Sequence, residues 1–252
     1  MEALAGYHCV REALRARRRR LGRLWMRAPE PRGGRELAAL AEAAGVPIEW
    51  TSDAELDARL PPGTRSQGVL LDAGPLPELE LAVAIAWPAA EAPLIVALDE
   101  VEDPQNVGAI ARSAEAAGAR ALLLARRRAP PLSPAVSRAS AGAIEHLPVI
   151  RVPNLVRALG QLGEHGYWRL GADVAGDSHP YWEAGGLLRA AAVLVLGGEE
   201  RGLRAGVTRA LDRRVRIPML GRVASLNVAA AAAVLLFEAA RCRERPLIPP
   251  GS

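Results

Sequence analysis

The chain contains no lysine. All 32 of its basic residues are arginine. Together with abundant Ala, Gly and Pro and only three asparagines (Asn106, Asn154 and Asn227), this fits mutational pressure from a GC-rich genome. The arginine bias alone is therefore no evidence for chemistry. Cysteine is scarce too. Cys9 and Cys242 lie far apart, which excludes a metal-ligand spacing and a disulfide framework. A reduced, cytoplasmic setting is the expectation. One Phe, three Tyr and five Trp leave few rings for stacking on bases. No uninterrupted apolar run approaches the ~20 residues of a membrane span. The N-terminus lacks the charged and apolar regions of a signal peptide. There is no G-x-G-x-x-G and no Walker A pattern, which disfavours dinucleotide and nucleoside-triphosphate chemistry.

What is present is a globular chain. Its 252 residues are 50% hydrophobic, enough for one large domain or two smaller ones. The net charge of +4 mildly favours an anionic partner, of which nucleic acid is the usual case. Arg11, Arg15, Arg17, Arg18, Arg19, Arg20, Arg23 and Arg27 crowd together with Glu12 the only acid among them. They form either a solvated helix end or a phosphate-contacting patch, and a patch of this kind positions RNA without reading its sequence.

Residues 1–73 read as a small α/β unit, with helices over 7–20, 35–44 and 53–60 and strands over 21–26, 46–50 and 68–71. Ser52 is placed to cap the third helix. Residues 74–92, with several prolines and acidic residues, read as a linker with a short helix near 81–86. From 93 to 246 apolar strands (94–98, 121–125, 168–172, 192–196, 214–217) alternate with helices (107–117, 134–144, 155–162, 203–210, 226–243). This alternation predicts a parallel sheet covered on both faces. Residues 247–252 form a tail.

Three segments carry distinctive chemistry. In Asp103-Pro-Gln-Asn106-Val-Gly108-Ala-Ile-Ala-Arg112, an acidic turn leads into a helix of small residues that can expose one long cation. Asn106 could equally be a helix cap and Arg112 an ordinary surface residue. In Leu196-Gly197-Gly198-Glu199-Glu200-Arg201-Gly202, a buried strand meets paired glycines that let backbone approach a ligand. A plain tight turn gives the same pattern. In Ile217-Pro218-Met219-Leu220-Gly221-Arg222-Val223-Ala224-Ser225-Leu226-Asn227, a Pro/Gly loop and a polar Ser-x-Asn pair precede an apolar helix that either residue could cap.

Taken in order, the three segments resemble the SpoU/TrmH family of RNA 2′-O-ribose methyltransferases, over about residues 93–244. Gly6-x-His8-x-Val10-x-Glu12-Ala-Leu14 and Gln67-Gly68-Val69 resemble the substrate-binding domain of the rRNA branch. Ser140-x-Gly142-Ala143-x-Glu145 and Leu147-Pro-Val fit as well. The closest subgroup methylates a guanosine of bacterial large-subunit (23S) rRNA. The resemblance implies a SPOUT domain, an α/β fold whose parallel sheet carries a deep trefoil knot, preceded by a ribosomal-protein-like RNA-binding domain. No periodicity predicts such a knot. It also implies a homodimer, S-adenosylmethionine (SAM) as methyl donor and no metal. By the same resemblance, Leu196, Gly197, Gly198, Ile217, Pro218, Met219, Ser225 and Leu226 hold SAM, and Asn106, Arg112, Glu199, Ser225 and Asn227 form the active site. Arg11, Arg15, Arg18, Arg19 and Arg112 are the expected RNA contacts. A tRNA methyltransferase of the same family and a catalytically silent RNA-binding or ribosome-assembly factor are the alternatives.

Overall fold

In the computed structural model, which describes residues 1–174, 177–199 and 201–243, the first strand is one that the sequence pattern does not announce. β1 (Glu2–Ala5) leads into α1 (Tyr7–Ala16), β2 (Leu21–Arg27), α2 (Gly34–Ala43), β3 (Ile48–Thr51), α3 (Asp53–Asp57) and β4 (Val69–Ala73). The sheet order is β1-β4-β2-β3. β4 runs antiparallel to both of its neighbours, and β2 and β3 run parallel. α1 buries Cys9, Val10, Ala13 and Leu14 on one face, where they meet Leu24, Met26 and Leu37. The helix stops short of the predicted 7–20 because Arg17 takes a left-handed φ of 49° and its N–H closes on the Ala13 carbonyl. Ser52 caps α3 in a full capping box with Glu55, as its position predicted.

The remaining elements are β5 (Glu78–Leu79), α4 (Leu81–Ile85), β6 (Leu94–Asp99), α5 (Pro104–Ala116), β7 (Ala121–Ala125), α6 (Pro134–Ala139), β8 (Val149–Val152), α7 (Leu155–Glu164), β9 (Trp168–Ala172), β10 (His179–Pro180), α8 (Gly185–Leu188), β11 (Ala192–Gly197), α9 (Ala205–Arg209), β12 (Arg213–Arg216) and α10 (Val228–Cys242). The second sheet has the order β10-β12-β9-β11-β6-β7-β8-β5, and the pairings from β10 through β8 are parallel. β6 is buried along its whole length, as a strand covered on both faces must be. Residues read as a linker do not run free of the core. Ala84 is buried in it, with Leu79, Leu81, Ile85 and Trp87 packed against it, and the Tyr167 hydroxyl donates to the Ala84 carbonyl at 2.9 Å.

The chain groups into two units. One comprises Met1–Glu78, Asp103–Arg112 and Pro130–Pro148, and the other comprises Leu79–Glu102, Ser113–Ala129 and the residues from Val149 onward. Within the first unit, the helix predicted over 134–144 breaks after Ala139. Ala141 and Gly142 take left-handed φ values of 50° and 85°, and a 3-10 turn follows at Ala143–Glu145. A Cβ at Gly142 would stand 2.7 Å from Glu12 Cβ and 2.9 Å from the His8 carbonyl oxygen, so glycine is what lets α1 close against this turn. The expected tail at 247–252 and the expected domain end at 246 lie outside the described residues.

Candidate active site

β11 ends in register with β6, Gly197 beside Asp99. The Gly198 N–H donates to the Asp99 carbonyl at 2.9 Å, and the Gly202 N–H donates back to the Gly198 carbonyl at 2.9 Å. The loop therefore folds back across Gly197, with Gly198 and Gly202 forming an isolated antiparallel bridge. A Cβ there would stand 2.5 Å from both the Gly202 oxygen and the Leu203 nitrogen, and one at Gly198 would collide with the Glu100 carbonyl. The paired glycines are a requirement of close approach rather than of turn flexibility.

The same crossing is braced by a residue that the sequence reading missed. The Asp99 carboxylate is fully buried and takes the Arg204 backbone N–H at 2.9 Å and its Nε at 2.7 Å. This bidentate bonding raises the Arg204 pKa, against the opposing effect of burial. A carboxylate ending an otherwise apolar strand, with an arginine two residues past Gly202, was the available signal.

After β12 the chain returns through residues 217–227 to α10. Asn227, not Ser225, is the cap. Its Oδ1 accepts the N–H groups of Ala229 at 2.9 Å and Ala230 at 3.4 Å. Its Nδ2 donates to Glu199 Oε1 at 3.0 Å. One amide thus fixes the helix start and ties it to the glycine turn. Between these segments lies a cavity of about 620 Å³, within the size range of small-molecule sites. Leu196, Gly197, Gly198, Ile217, Met219, Ser225 and Leu226 line it, together with Glu199 and Asn227. Of the expected SAM-contacting residues only Pro218 is not in its lining. Ala172, Asp173, Arg201, Val215 and Ala231 line it as well. The residues suit SAM. Leu196, Ile217, Met219, Leu226 and Val228 offer an apolar seat for an adenine, and Asp173, Glu199, Ser225 and Asn227 bring polar groups to the same lining. Among the described residues no group of three or more His, Cys, Asp or Glu is placed to hold a metal.

Asn106 and Arg112 lie in the first unit. α5 begins at Pro104, earlier than predicted, and Asp103 occupies the capping place. Its Oδ1 accepts the Gln105 N–H at 3.0 Å and its carbonyl accepts the Val107 N–H. Asn106 is therefore the third residue of the helix rather than its cap, with 8% of its surface exposed. Arg112 is exposed further along α5. A Cβ at Gly108 would overlap that of Ala139 and stand 2.9 Å from the Ser140 nitrogen, so α5 lies directly on the end of α6.

The arginines of the N-terminal segment divide: Arg15, Arg17, Arg20 and Arg23 are exposed, whereas Arg19 is buried. Arg19 is corrected outright. Its side chain is fully buried, paired with Glu145 at 2.9 Å and bonded to the Gly74 carbonyl at 3.1 Å. It cannot reach a phosphate from there. Arg11 is paired with Glu12 at 2.6 Å, and Arg15 with Glu36 at 2.9 Å. Arg18 donates to the Glu145 carbonyl at 3.2 Å.

Two family models match this chain: the SpoU rRNA methylase family over residues 93–237, and the RNA 2′-O ribose methyltransferase substrate-binding family over residues 3–79. The 23S rRNA (guanosine-2′-O-)-methyltransferase RlmB of Bordetella pertussis is 38% identical over 249 residues, covering 96% of this chain and 98% of the relative. RlmB of Pseudomonas putida is 35% identical over 252 residues, covering 97% and 98%. Among solved structures, the SpoU methyltransferase AviRb of Streptomyces viridochromogenes, in complex with AdoMet (SAM), superposes with a TM-score of 0.78 at 26% identity, covering 96% of this chain and 90% of its own. The chain belongs to the SpoU rRNA methylase family and is a SAM-dependent RNA 2′-O-ribose methyltransferase.

Proposed function

We propose that the protein methylates the 2′-hydroxyl of a guanosine in 23S rRNA. The observation that carries the reading is the Asn227–Glu199 hydrogen bond, which joins the two loops lining the cavity. Near full-length similarity to two RlmB enzymes supports the choice of substrate. So does the match of residues 3–79 to a substrate-binding module, for which a tRNA-modifying enzyme on the catalytic domain alone would have no need.

Bound SAM supplies a methyl group on a sulfonium, open to in-line displacement. As the ribose oxygen–methyl bond forms, the sulfur–methyl bond breaks, leaving S-adenosylhomocysteine and a proton. The hydroxyl is a weak nucleophile at neutral pH and must be held in line. Arg112 is assigned to the target phosphate and to the negative charge that develops on the oxygen. A guanidinium stays protonated, which suits this role better than that of a base. Asn106 orients Arg112 or the ribose. Glu199 holds Asn227, and Ser225 shapes the wall beside them.

The reading includes a homodimer. Val234 and Phe237 share the solvent face of α10, Phe237 with 53% of its surface exposed, and Leu220 and Val223 project from the loop before it. Exposed apolar faces of this kind are what subunit contacts use. It also includes the trefoil knot, supported by residues from the two segments around Gly197 and around Ile217 and Asn227 lining one cavity. A cytoplasmic location fits the two free thiols, Cys9 and Cys242.

Incubating the protein with SAM and unmodified 23S rRNA, then mapping ribose methylation by mass spectrometry, tests the substrate. One 2′-O-methylguanosine in 23S rRNA is expected. Methylation of tRNA alone would transfer the assignment to the tRNA branch, and SAM binding without any methylation would leave a silent RNA-binding factor.

A further inference from the structure

Arg19 and Glu145 form a buried pair that the reaction as described does not use. Their side chains are 0% and 1% exposed. Glu145 Oε1 also takes the Ser137 hydroxyl at 3.0 Å, and Arg19 reaches Glu2 at 3.3 Å. Yet Arg19 Nε and Glu145 Oε2 are buried without a partner. An ion pair that leaves two polar atoms unsatisfied is a poor device for stability, because desolvation offsets most of its attraction. Its geometric effect is more informative. Arg19 comes from the N-terminal segment, whereas Glu145 and Ser137 belong to the turn that carries Ser140. The Ser140 hydroxyl donates to the Ser137 carbonyl at 3.0 Å and accepts the Ile144 N–H at 3.3 Å, which makes the turn one stiff body. Gly108 of α5 rests on that body at Ala139 and Ser140. At its rim, His146 Nε2 meets Glu12 at 2.8 Å.

We propose that Arg19 is a positioning residue for methyl transfer. By holding the Ser137–Glu145 turn, it sets the seat of Gly108 and therefore the place of Asn106 and Arg112 on α5. Docking of the substrate-binding segment and alignment of the catalytic helix are then one mechanical event. The inference rests on the assignment of Arg112 above.

The test compares R19M, R19K, E145Q and R112A in the full-length protein, with unmodified 23S rRNA as substrate and SAM affinity measured by calorimetry. R19M should lower kcat tenfold or more while the Kd for SAM stays within twofold, since the cavity belongs to the other unit. E145Q, which keeps the shape of the turn, should lose less, and R19K should recover part of the loss. If R19M does not fold, the rim variant E12Q/H146Q carries the test, with a threefold or greater fall in kcat at unchanged SAM affinity. A folded R19M or rim variant with kcat within twofold of the parent overturns the proposal, as does parallel loss of kcat and SAM binding. R112A separates the two readings. If R112A is fully active, the underlying assignment fails; if R112A is dead while R19M is fully active, only the coupling fails.

Discussion

Asn227 uses both ends of its amide, accepting from the first turn of α10 through Oδ1 and donating to Glu199 through Nδ2. The two duties can be separated by a single substitution. Aspartate caps helices as well as asparagine does, but in N227D a second carboxylate would face Glu199 at about the present 3.0 Å. N227D should therefore melt within about 1 kcal/mol of the parent yet lose tenfold or more in kcat. N227A should lose the cap as well, about 1 kcal/mol. Thermal melts read beside initial rates decide this. Equal activity of N227D and the parent would remove Glu199–Asn227 from the mechanism.

Gly197 and Gly108 are both glycines of close approach, and they predict opposite phenotypes. At Gly197 the obstacle is backbone from Gly202 and Leu203, which cannot swing aside. G197A should abolish SAM binding in calorimetry. At Gly108 an alanine would gain up to ~1 kcal/mol of helix propensity, but overpacking against the Ala139–Ser140 backbone costs about 1–3 kcal/mol. G108A should thus be slightly destabilised and impaired in kcat, with SAM affinity intact. Weakened SAM binding in G108A would show that the effect of α5 is not confined to the methyl-transfer step.

These glycines mark how far the sequence could be read. Strands such as β7 and β9 were legible as apolar runs between turns, and the Ser52 cap as a local pattern. The start of α5 at Pro104 was missed in favour of Asn106, although a proline at the first helical position was the available signal. Features decided at a distance were not legible. β1 gains its identity only by pairing with β4. The break after Ala139 exists because α1 packs on Gly142. Arg19 stands in a run of exposed-looking arginines, and its partner Glu145 lies 126 residues later.

Asp212 offers a pH test of the sheet that supports the cavity. Burial pushes its carboxyl upward, but the Arg169 guanidinium and backbone N–H more than offset this and hold it below its ordinary 3.8. A depressed carboxylate stabilises the fold above its unfolded pKa, and that contribution disappears as pH falls through the folded value. D212N should therefore be less stable than the parent by about 1–2 kcal/mol near neutrality. The gap should close below about pH 4. A gap in melting temperature that stays constant with pH would mean that the charge on Asp212 contributes nothing.

Arg112 can be asked directly whether it holds charge or moves a proton. R112K preserves the cation but replaces a planar fork with a compact ammonium. If Arg112 fixes a phosphate and stabilises the developing oxyanion, R112K should retain a small part of kcat, with ~10²-fold loss a reasonable scale for a misplaced stabilising group. Its pH–rate profile should parallel that of the parent. If the side chain were the proton acceptor, lysine, with an ordinary pKa of about 10.4, would become the better base as pH rises. The R112K rate would then climb steeply towards pH 10 relative to the parent, and that outcome would reassign Arg112 as the base. Parallel profiles leave deprotonation to solvent or to the RNA, with the protein supplying position and charge.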